Sequence, residues 1–439
     1  MLLNSLRQFG YSFLLGAVGL YSMGVPAMAV TQQVHATVDF AASTPQKNLS
    51  GFLHGVGSIN PPDSLLIPLK PALWRIRAGD AINYSRAATA GAQMEVVLSD
   101  GYGYPSNGWK GRGAPWENNW THWEDFVHQM AQLYRTTPVY WDVWNEADIK
   151  DWNKTQFWNG TEAQYFETYK RAYTILRQEL GPNAMIGGPS YANYEPVSIT
   201  AFLNYCDQNA LQVNFLSWHE LMRADYNIPS VATNIAYMRN LALSYPNLRI
   251  QKIFINESVG PKTQYLPGDI LGFLYYMGLG GADGANKGCW NDSLGRNNCS
   301  NQSVDGIINP DAITPRAAWW TYKTYADGAA SRVKTTSDNP NLVVMASKTP
   351  GQVLVGYLGA TAPGPANVIL SLRNLGSIGQ TGASVRVKIV KVPNTGEATL
   401  ANLVPVASGV AAVLNGATTV TIPTMNLHEE YIIYLTPAP

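Results

Sequence analysis

Two glutamates stand where short apolar runs break off. Val139-Tyr140-Trp141-Asp142-Val143-Trp144-Asn145-Glu146 is aromatic and apolar until it ends in an amide and a carboxylate. Pro138 steers the chain before it toward an extended conformation. Lys252-Ile253-Phe254-Ile255-Asn256-Glu257 repeats the pattern ahead of Ser258-Val259-Gly260-Pro261. Both runs are too short for helices of their own and read as buried strands whose last residues emerge into loops. A carboxylate at such depth is costly unless partnered, so Glu146 and Glu257 point to one cleft. Paired carboxylates, one with a raised and one with a lowered pKa, are what acetal hydrolysis requires. One protonates the departing sugar oxygen; the other attacks the anomeric carbon or activates water. Spacing does not decide which does which. The competing explanation is structural, with each glutamate ion-paired to a nearby arginine.

Holding two strand ends across one mouth requires parallel strands, and the chain has that rhythm. Gly51-Phe52-Leu53-His54-Gly55-Val56, Leu73-Trp74-Arg75-Ile76 and Met94-Glu95-Val96-Val97-Leu98 read as the first three strands. A loop rich in Gly, Tyr and Trp covers 101–119. Thr121 and Glu124 then read as a capping box opening a helix with Trp123, Phe126, Val127, Met130 and Leu133 on one face. The 139–146 strand is fourth. Thr161 and Gln164 cap the next helix, which Gly181-Pro182 stops. Strands around Met185-Ile186-Gly187 and Phe215-Leu216-Ser217-Trp218-His219 follow, then 252–257, then a weak eighth near 285–290. Thr314-Pro315 places a cap and a first-turn proline at the head of a last helix through Trp319, Trp320 and Tyr325. Roughly eight strand–helix alternations predict an α/β fold, a (β/α)8 TIM barrel over 51–332. A doubly wound sheet is the competitor, but no phosphate-binding glycine fingerprint follows the first strand.

From residue 333 helical periodicity disappears. Short strands punctuated by Gly, Pro, Asn and Thr predict a C-terminal β-sandwich domain over 333–439. In the 30–50 segment Val34, Ala36, Val38 and Phe40 alternate with polar residues, an N-terminal strand able to return and join that sheet. A chain of 439 residues exceeds what one core usually supports, which fits two domains. Residues 1–29 read as a signal peptide, with Arg7 ahead of an apolar centre and Ala27-Met28-Ala29 as the cleavage site. A retained anchor is the alternative, although Gly16, Gly19 and Gly24 keep the apolar centre short for a span. The expectation is a secreted or periplasmic protein with no membrane contact after cleavage. Export agrees with Cys289 and Cys299 closing one loop as a disulfide, leaving Cys206 on an apolar helix face.

Composition narrows the partner. Trp and Tyr are abundant at 13 and 24 residues, while 30 basic and 30 acidic side chains cancel. A nucleic-acid binder needs basic residues to neutralise phosphates, so this balance argues against one and suits an uncharged substrate gripped by aromatic faces and amides. His219-Glu220-Leu221-Met222-Arg223 opens like a zinc-protease helix but carries Arg where the second ligand belongs. Gly188-Pro189-Ser190-Tyr191-Ala192 lacks the final glycine of a nucleophile elbow. No metal and no cofactor are expected.

Trp144-Asn145-Glu146 on the fourth strand, with Glu257 on the seventh, resembles the glycoside hydrolases of clan A. The longer string from Val139 looks most like glycoside hydrolase family 39, home of β-xylosidases and α-L-iduronidases. The resemblance covers the barrel and the appended sandwich. It implies that Glu146 is the general acid/base and Glu257 the nucleophile, with net retention through a covalent glycosyl-enzyme. It also implies that Asn145 hydrogen-bonds the sugar 2-hydroxyl, that Arg75 and His219 stand beside Glu257, and that Trp290 is a sugar-stacking platform. Trp144, Asp148, Trp152 and Trp158 are expected to meet substrate along the cleft. The 102–120 loop departs from the xylosidase pattern and is expected to shape the leaving-group side. An iduronidase-like role would call on Lys262, Arg223 and Lys150 for a sugar carboxylate. The resulting expectation is a retaining glycoside hydrolase of plant-wall or microbial polysaccharide or oligosaccharide. A transglycosylase and a non-catalytic carbohydrate-binding protein on the same fold are the alternatives, and nothing indicates an oligomeric state.

Overall fold

The structure, a computed structural model, describes residues 32–44, 47–102, 115, 120–148, 157–158, 160–221, 227–359 and 362–438. The expected leader 1–29, Lys150, Trp152, Arg223 and most of the 101–119 loop lie outside the described residues. Among the described residues no helix is long and apolar enough to cross a membrane.

Eight parallel strands form one sheet, each hydrogen-bonded to the next: Gly51–Phe52, Leu73–Arg77, Gln93–Val97, Val139–Asp142, Met185–Tyr191, Phe215–Glu220, Lys252–Ser258 and Gly284–Lys287. The first also touches the eighth, which closes a TIM barrel. Gly51 permits that closure, since a Cβ there would lie 2.0 Å from the Ala285 carbonyl oxygen. Side chains two residues apart share a face of a strand, so the interior is layered. Leu73, Phe215 and Phe254 form a small apolar floor with Tyr140 packed against it. Two residues further along the same strands come Arg75, Asp142 and Asn256, all buried. The outward-facing residues pack on the surrounding helices in the main core.

Two helix starts differ from the sequence reading. The helix before the fourth strand is Trp120–Leu133, so Thr121 lies inside it rather than capping it, and the Glu124 carboxylate pairs with Arg171 instead. Thr314–Pro315 pairs as a short strand with Ile308–Asn309, and the last helix, Ala317–Asp327, begins after Arg316. Pro315 is held there by its carbonyl, which accepts the Leu400 N–H at 2.9 Å. By contrast, Thr161 and Gln164 exchange both bonds of a capping box ahead of Glu162–Leu180.

The second domain is one nine-stranded sheet in the order Val404–Ala412, Ser384–Val392, Glu430–Pro437, Gln352–Tyr357, Leu342–Ser347, Arg332–Ser337, Gln32–Ser43, Ala366–Arg373, Thr418–Met425. Its two end strands touch, so the sheet curls into a sandwich around a core that includes Val38, Phe40, Val355, Val368 and Ile433. The N-terminal strand runs parallel to Ala366–Arg373 and antiparallel to Arg332–Ser337. Sequence reasoning missed Arg332–Ser337, which is polar along its outer half, and Val404–Ala412, which has no buried residue. Neither carries the alternation that marks a half-buried strand.

The helix Pro267–Gly280 is apolar nearly all round because barrel and sheet cover opposite sides of it. Gly268 sits at the closest approach, where a Cβ would lie 2.7 Å from both the Glu429 and the Tyr357 carbonyl oxygens. Backbone atoms cannot step aside as a flexible side chain can. Gly268→Ala is therefore expected to destabilise the protein by about 1–3 kcal/mol. Gly409→Ala, in the open strand where a Cβ meets nothing within 4 Å, should be neutral or slightly stabilising. Urea unfolding of the two variants checks this; equal effects would contradict it.

Candidate active site

Glu146 lies just past the end of the fourth barrel strand, with φ of 54°. A left-handed conformation is unfavourable for a residue with a Cβ. Here it is fixed by the Glu146 N–H, which donates to the Ser190 carbonyl at 2.9 Å. The turn swings the carboxylate inward, where Oε1 lies 3.0 Å from His219 Nδ1. Glu257 projects from the seventh strand, and Arg75 Nη1 donates to its Oε1 at 3.2 Å. One side-chain atom from each of Glu146, His219 and Glu257 falls within 4.8 Å of the other two. The two carboxylates thus face each other at the C-terminal mouth.

Arg75 holds this arrangement from below. Its Nε and Nη2 donate to Asp142 Oδ2 at 3.1 and 2.6 Å, and Nη2 also donates to Asn145 Oδ1 at 2.8 Å. Glu95 lies 3.9 Å from Nε. Burial works against the guanidinium charge, yet Asp142, Glu95 and Glu257 together raise its pKa. Asn256 ties the fourth, fifth and seventh strands by donating to Asp142 at 3.2 Å and to the Ser190 hydroxyl at 2.7 Å. Asn145 is fixed at both ends, because its backbone N–H donates to Ser99 Oγ at 3.0 Å. With its Oδ1 engaged by Arg75, the amide N–H groups of Asn145 remain for a ligand.

Burial sets the proton affinities. It pushes the Glu257 carboxyl up; His219 and Arg75 pull it back, while Glu146 adds repulsion. Burial likewise raises Asp142 against the pull of Arg75, and drives Glu95 up to about 8. At the edge of the mouth Lys287 is completely buried, donating to the Asp305 and Gly288 carbonyls at 2.6 and 3.1 Å. Asp305 in turn accepts the Leu53 N–H at 2.6 Å. His54 lies 3.7 Å from Asp100.

The residues singled out from the sequence do not all gather here. Glu146, Glu257, Asn145, Arg75 and His219 do. His219 stands beside Glu257, as expected, and in addition hydrogen-bonds Glu146. Trp290 lies beyond the eighth strand, its indole N–H donating to the Val259 carbonyl at 2.9 Å, two residues after Glu257. Trp144 is a correction: it is fully buried, packed on Trp123 and Trp158, with its N–H on the Phe157 carbonyl. It braces the loop from behind and presents no face to a sugar. Trp158 is buried in the same cluster. Asp148 accepts the Ala192 N–H at 2.9 Å and lines a side pocket of about 280 Å³ with Glu162, Tyr165 and Glu195; burial raises it to about 6. Cys289 and Cys299 form a disulfide, and Cys206 is a buried free thiol. Glu95, Ser99, Asp142, Ser190 and Asn256 were missed as site residues. Their signal was a polar residue inside or at the end of an apolar strand run.

Among the described residues, Glu146, His219 and Glu257 also form the group whose spacing could suit a metal ion. Arg75 beside Glu257 opposes a cation there. Two facing carboxylates, an imidazole and a clamped amide thus meet at the barrel mouth. Residues 109–260 match the sequence model of glycosyl hydrolases family 39. A β-xylosidase of Caldicellulosiruptor saccharolyticus is 27% identical over 119 residues, 26% of this chain and 23% of that protein. The match thus spans under a quarter of that relative. Among solved structures, N2152 from Neocallimastix frontalis superposes with TM-score 0.74 at 23% identity over 93% of this chain and 100% of that one. The GH39 enzyme from Xanthomonas axonopodis pv. citri gives 0.67 at 15% identity over 96% and 100%. The chain thus resembles the family 39 glycosyl hydrolases over residues 109–260 and shares its overall fold with these solved structures.

Glu95 generates a test. Its folded pKa of about 8 lies far above the value of about 4.3 in an unfolded chain. Between the two the native state holds the extra proton, so this contribution to stability is full at low pH and is lost as pH rises. Glu95→Gln should flatten the fall in unfolding free energy between about pH 5 and 8. An unchanged slope in urea melts across that range would contradict a protonated Glu95.

Proposed function

We propose that the protein is a retaining O-glycoside hydrolase with xylosidase-like substrates, exported from the cell. The observation that carries this is the approach of Glu146, His219 and Glu257 within 4.8 Å, with Arg75 paired to Glu257. Retaining enzymes hold their carboxylates about 5–5.5 Å apart, whereas inverting ones leave about 6.5–9.5 Å for a water. The short separation favours direct attack by a carboxylate.

In this reading the two glutamates share one proton. Burial chiefly raises Glu257 and Glu146 adds repulsion, a repulsion that vanishes once Glu146 is protonated. Glu257, held by Arg75, is then the ionised partner and attacks the anomeric carbon. Glu146 protonates the departing oxygen and, after the leaving group has gone, takes a proton from the incoming water. His219 Nδ1 exchanges a hydrogen bond with Glu146 in either state, donating to the carboxylate or accepting from the acid. Asn145 offers its amide N–H to the sugar 2-hydroxyl, where contacts tighten as positive charge develops on the ring. Residues 1–29 act as the export signal, and the Cys289–Cys299 disulfide supports an oxidising destination.

Kinetics on aryl xylosides and related aryl glycosides test the assignment. Glu257→Gln should lower kcat by about 10³-fold or more. Glu146→Gln should affect poor leaving groups far more than good ones, because only the former need a proton. NMR of the first product should show the anomeric configuration of the substrate. An inverted product, or near-normal rates in Glu257→Gln, would overturn the proposal.

A further inference from the structure

The second domain reaches back to the mouth of the barrel. Between its strands Ser384–Val392 and Val404–Ala412 the chain crosses to the loop that follows the eighth barrel strand. Both oxygens of the Glu397 carboxylate engage Ser293, one accepting its backbone N–H and the other its hydroxyl, each at 2.8 Å. The Glu397 carbonyl accepts Arg316 Nε at 3.0 Å, and Arg316 Nη1 donates to the Gly306 carbonyl at 2.9 Å. Arg316 is buried, with its guanidinium over the Tyr265 ring. The Glu397 side chain therefore holds the 288–306 loop at Ser293, and its carbonyl, through Arg316, supports the loop's end at Gly306.

That loop is otherwise a strained element. Gln302, Val304 and Asp305 all adopt positive φ, at 63°, 48° and 54°, conformations that persist only where surrounding contacts over-determine them. Within it Trp290 is pinned to the Val259 carbonyl, two residues from Glu257, and Asp305 is pinned to the Leu53 N–H after the first strand. The Cys289–Cys299 disulfide shortens the free part of the loop, and Ser293 lies inside the ring it closes.

Building on the hydrolase reading above, we propose that Glu397 of the sheet domain is a positioning residue of the substrate cleft, clamping the 288–306 loop so that Trp290 and Asp305 are presented beside Glu257. The second domain is then a working part of the active site and not a separable binding module. Glu397 touches no reacting atom, so its loss weakens substrate binding and leaves the chemical step.

The test compares the full chain with Glu397→Ala and Glu397→Gln on an aryl glycoside that the unaltered protein hydrolyses. Two charge-assisted hydrogen bonds are lost in the alanine variant, and KM should rise about tenfold with kcat within about twofold. Glu397→Gln keeps one acceptor oxygen and should recover part of the effect. Hydrogen exchange should accelerate in residues 288–306 of the alanine variant, a readout that needs no activity. Unchanged exchange in that loop overturns the clamp. So does an unchanged KM, or a joint fall of kcat and Tm, in variants of an active protein. If the unaltered chain hydrolyses no glycoside, the hydrolase reading fails on its own, and the exchange experiment still decides the clamp.

Discussion

Arg75 places one guanidinium in hydrogen bonds to Asp142, Asn145 and Glu257, with Glu95 at 3.9 Å, inside a barrel where its own side chain is 2% exposed. Three carboxyl groups around one cation cannot all be ionised cheaply away from water. The structure relieves the excess by raising Glu95, and Asp142 with it, through burial. What remains of the guanidinium's hydrogen-bonding capacity aligns Asn145 and contacts Glu257. Removing one partner of such a buried cluster typically costs about 3–5 kcal/mol, so the same contacts that tune the site also fix the barrel. Asn256 extends the cluster to Ser190, and the Ser190 carbonyl holds Glu146 in its left-handed turn. The two facing glutamates are consequently parts of a single hydrogen-bonded unit, although they are far apart in sequence.

The second sheet belongs to this construction. It covers the outer side of Pro267–Gly280, the helix that follows the Glu257 strand, with Gly268 admitting its backbone at van der Waals limit. It also sends Glu397 to the loop carrying Trp290. One contact lies behind the strand that bears Glu257 and the other at its mouth. The barrel end that carries the two glutamates is supported from both directions.

Much of the barrel could be read from sequence because its strands are buried on both faces and appear as continuous apolar runs. Glu146 and Glu257 stood out since each is a carboxylate where such a run stops. Glu95 and Asp142 did not, because a polar residue within a strand carries no sign of which way it points until register is known. Trp144 was misplaced for the same reason: adjacency to Asn145 says nothing about facing, and its indole turned to the aromatic cluster behind the strand. His219 could be placed at the mouth but not assigned to Glu146, since that contact depends on the φ of 54° at Glu146 itself. The exposed strand Val404–Ala412 lacks buried residues altogether, and the connection before it, which bears Glu397, has no periodic signal. Its contact with Ser293 joins residues 104 apart in sequence.

The central claim is that Glu257 forms a bond to the sugar while Glu146 manages the proton. Incubation with a slowly released 2-fluoro aryl glycoside, followed by intact-mass measurement and peptide mapping, addresses it directly. The account predicts one added sugar per chain, located on the peptide bearing Glu257. Turnover of the corresponding unfluorinated glycoside with no adduct from the fluorinated one, or an adduct on another side chain, would contradict it.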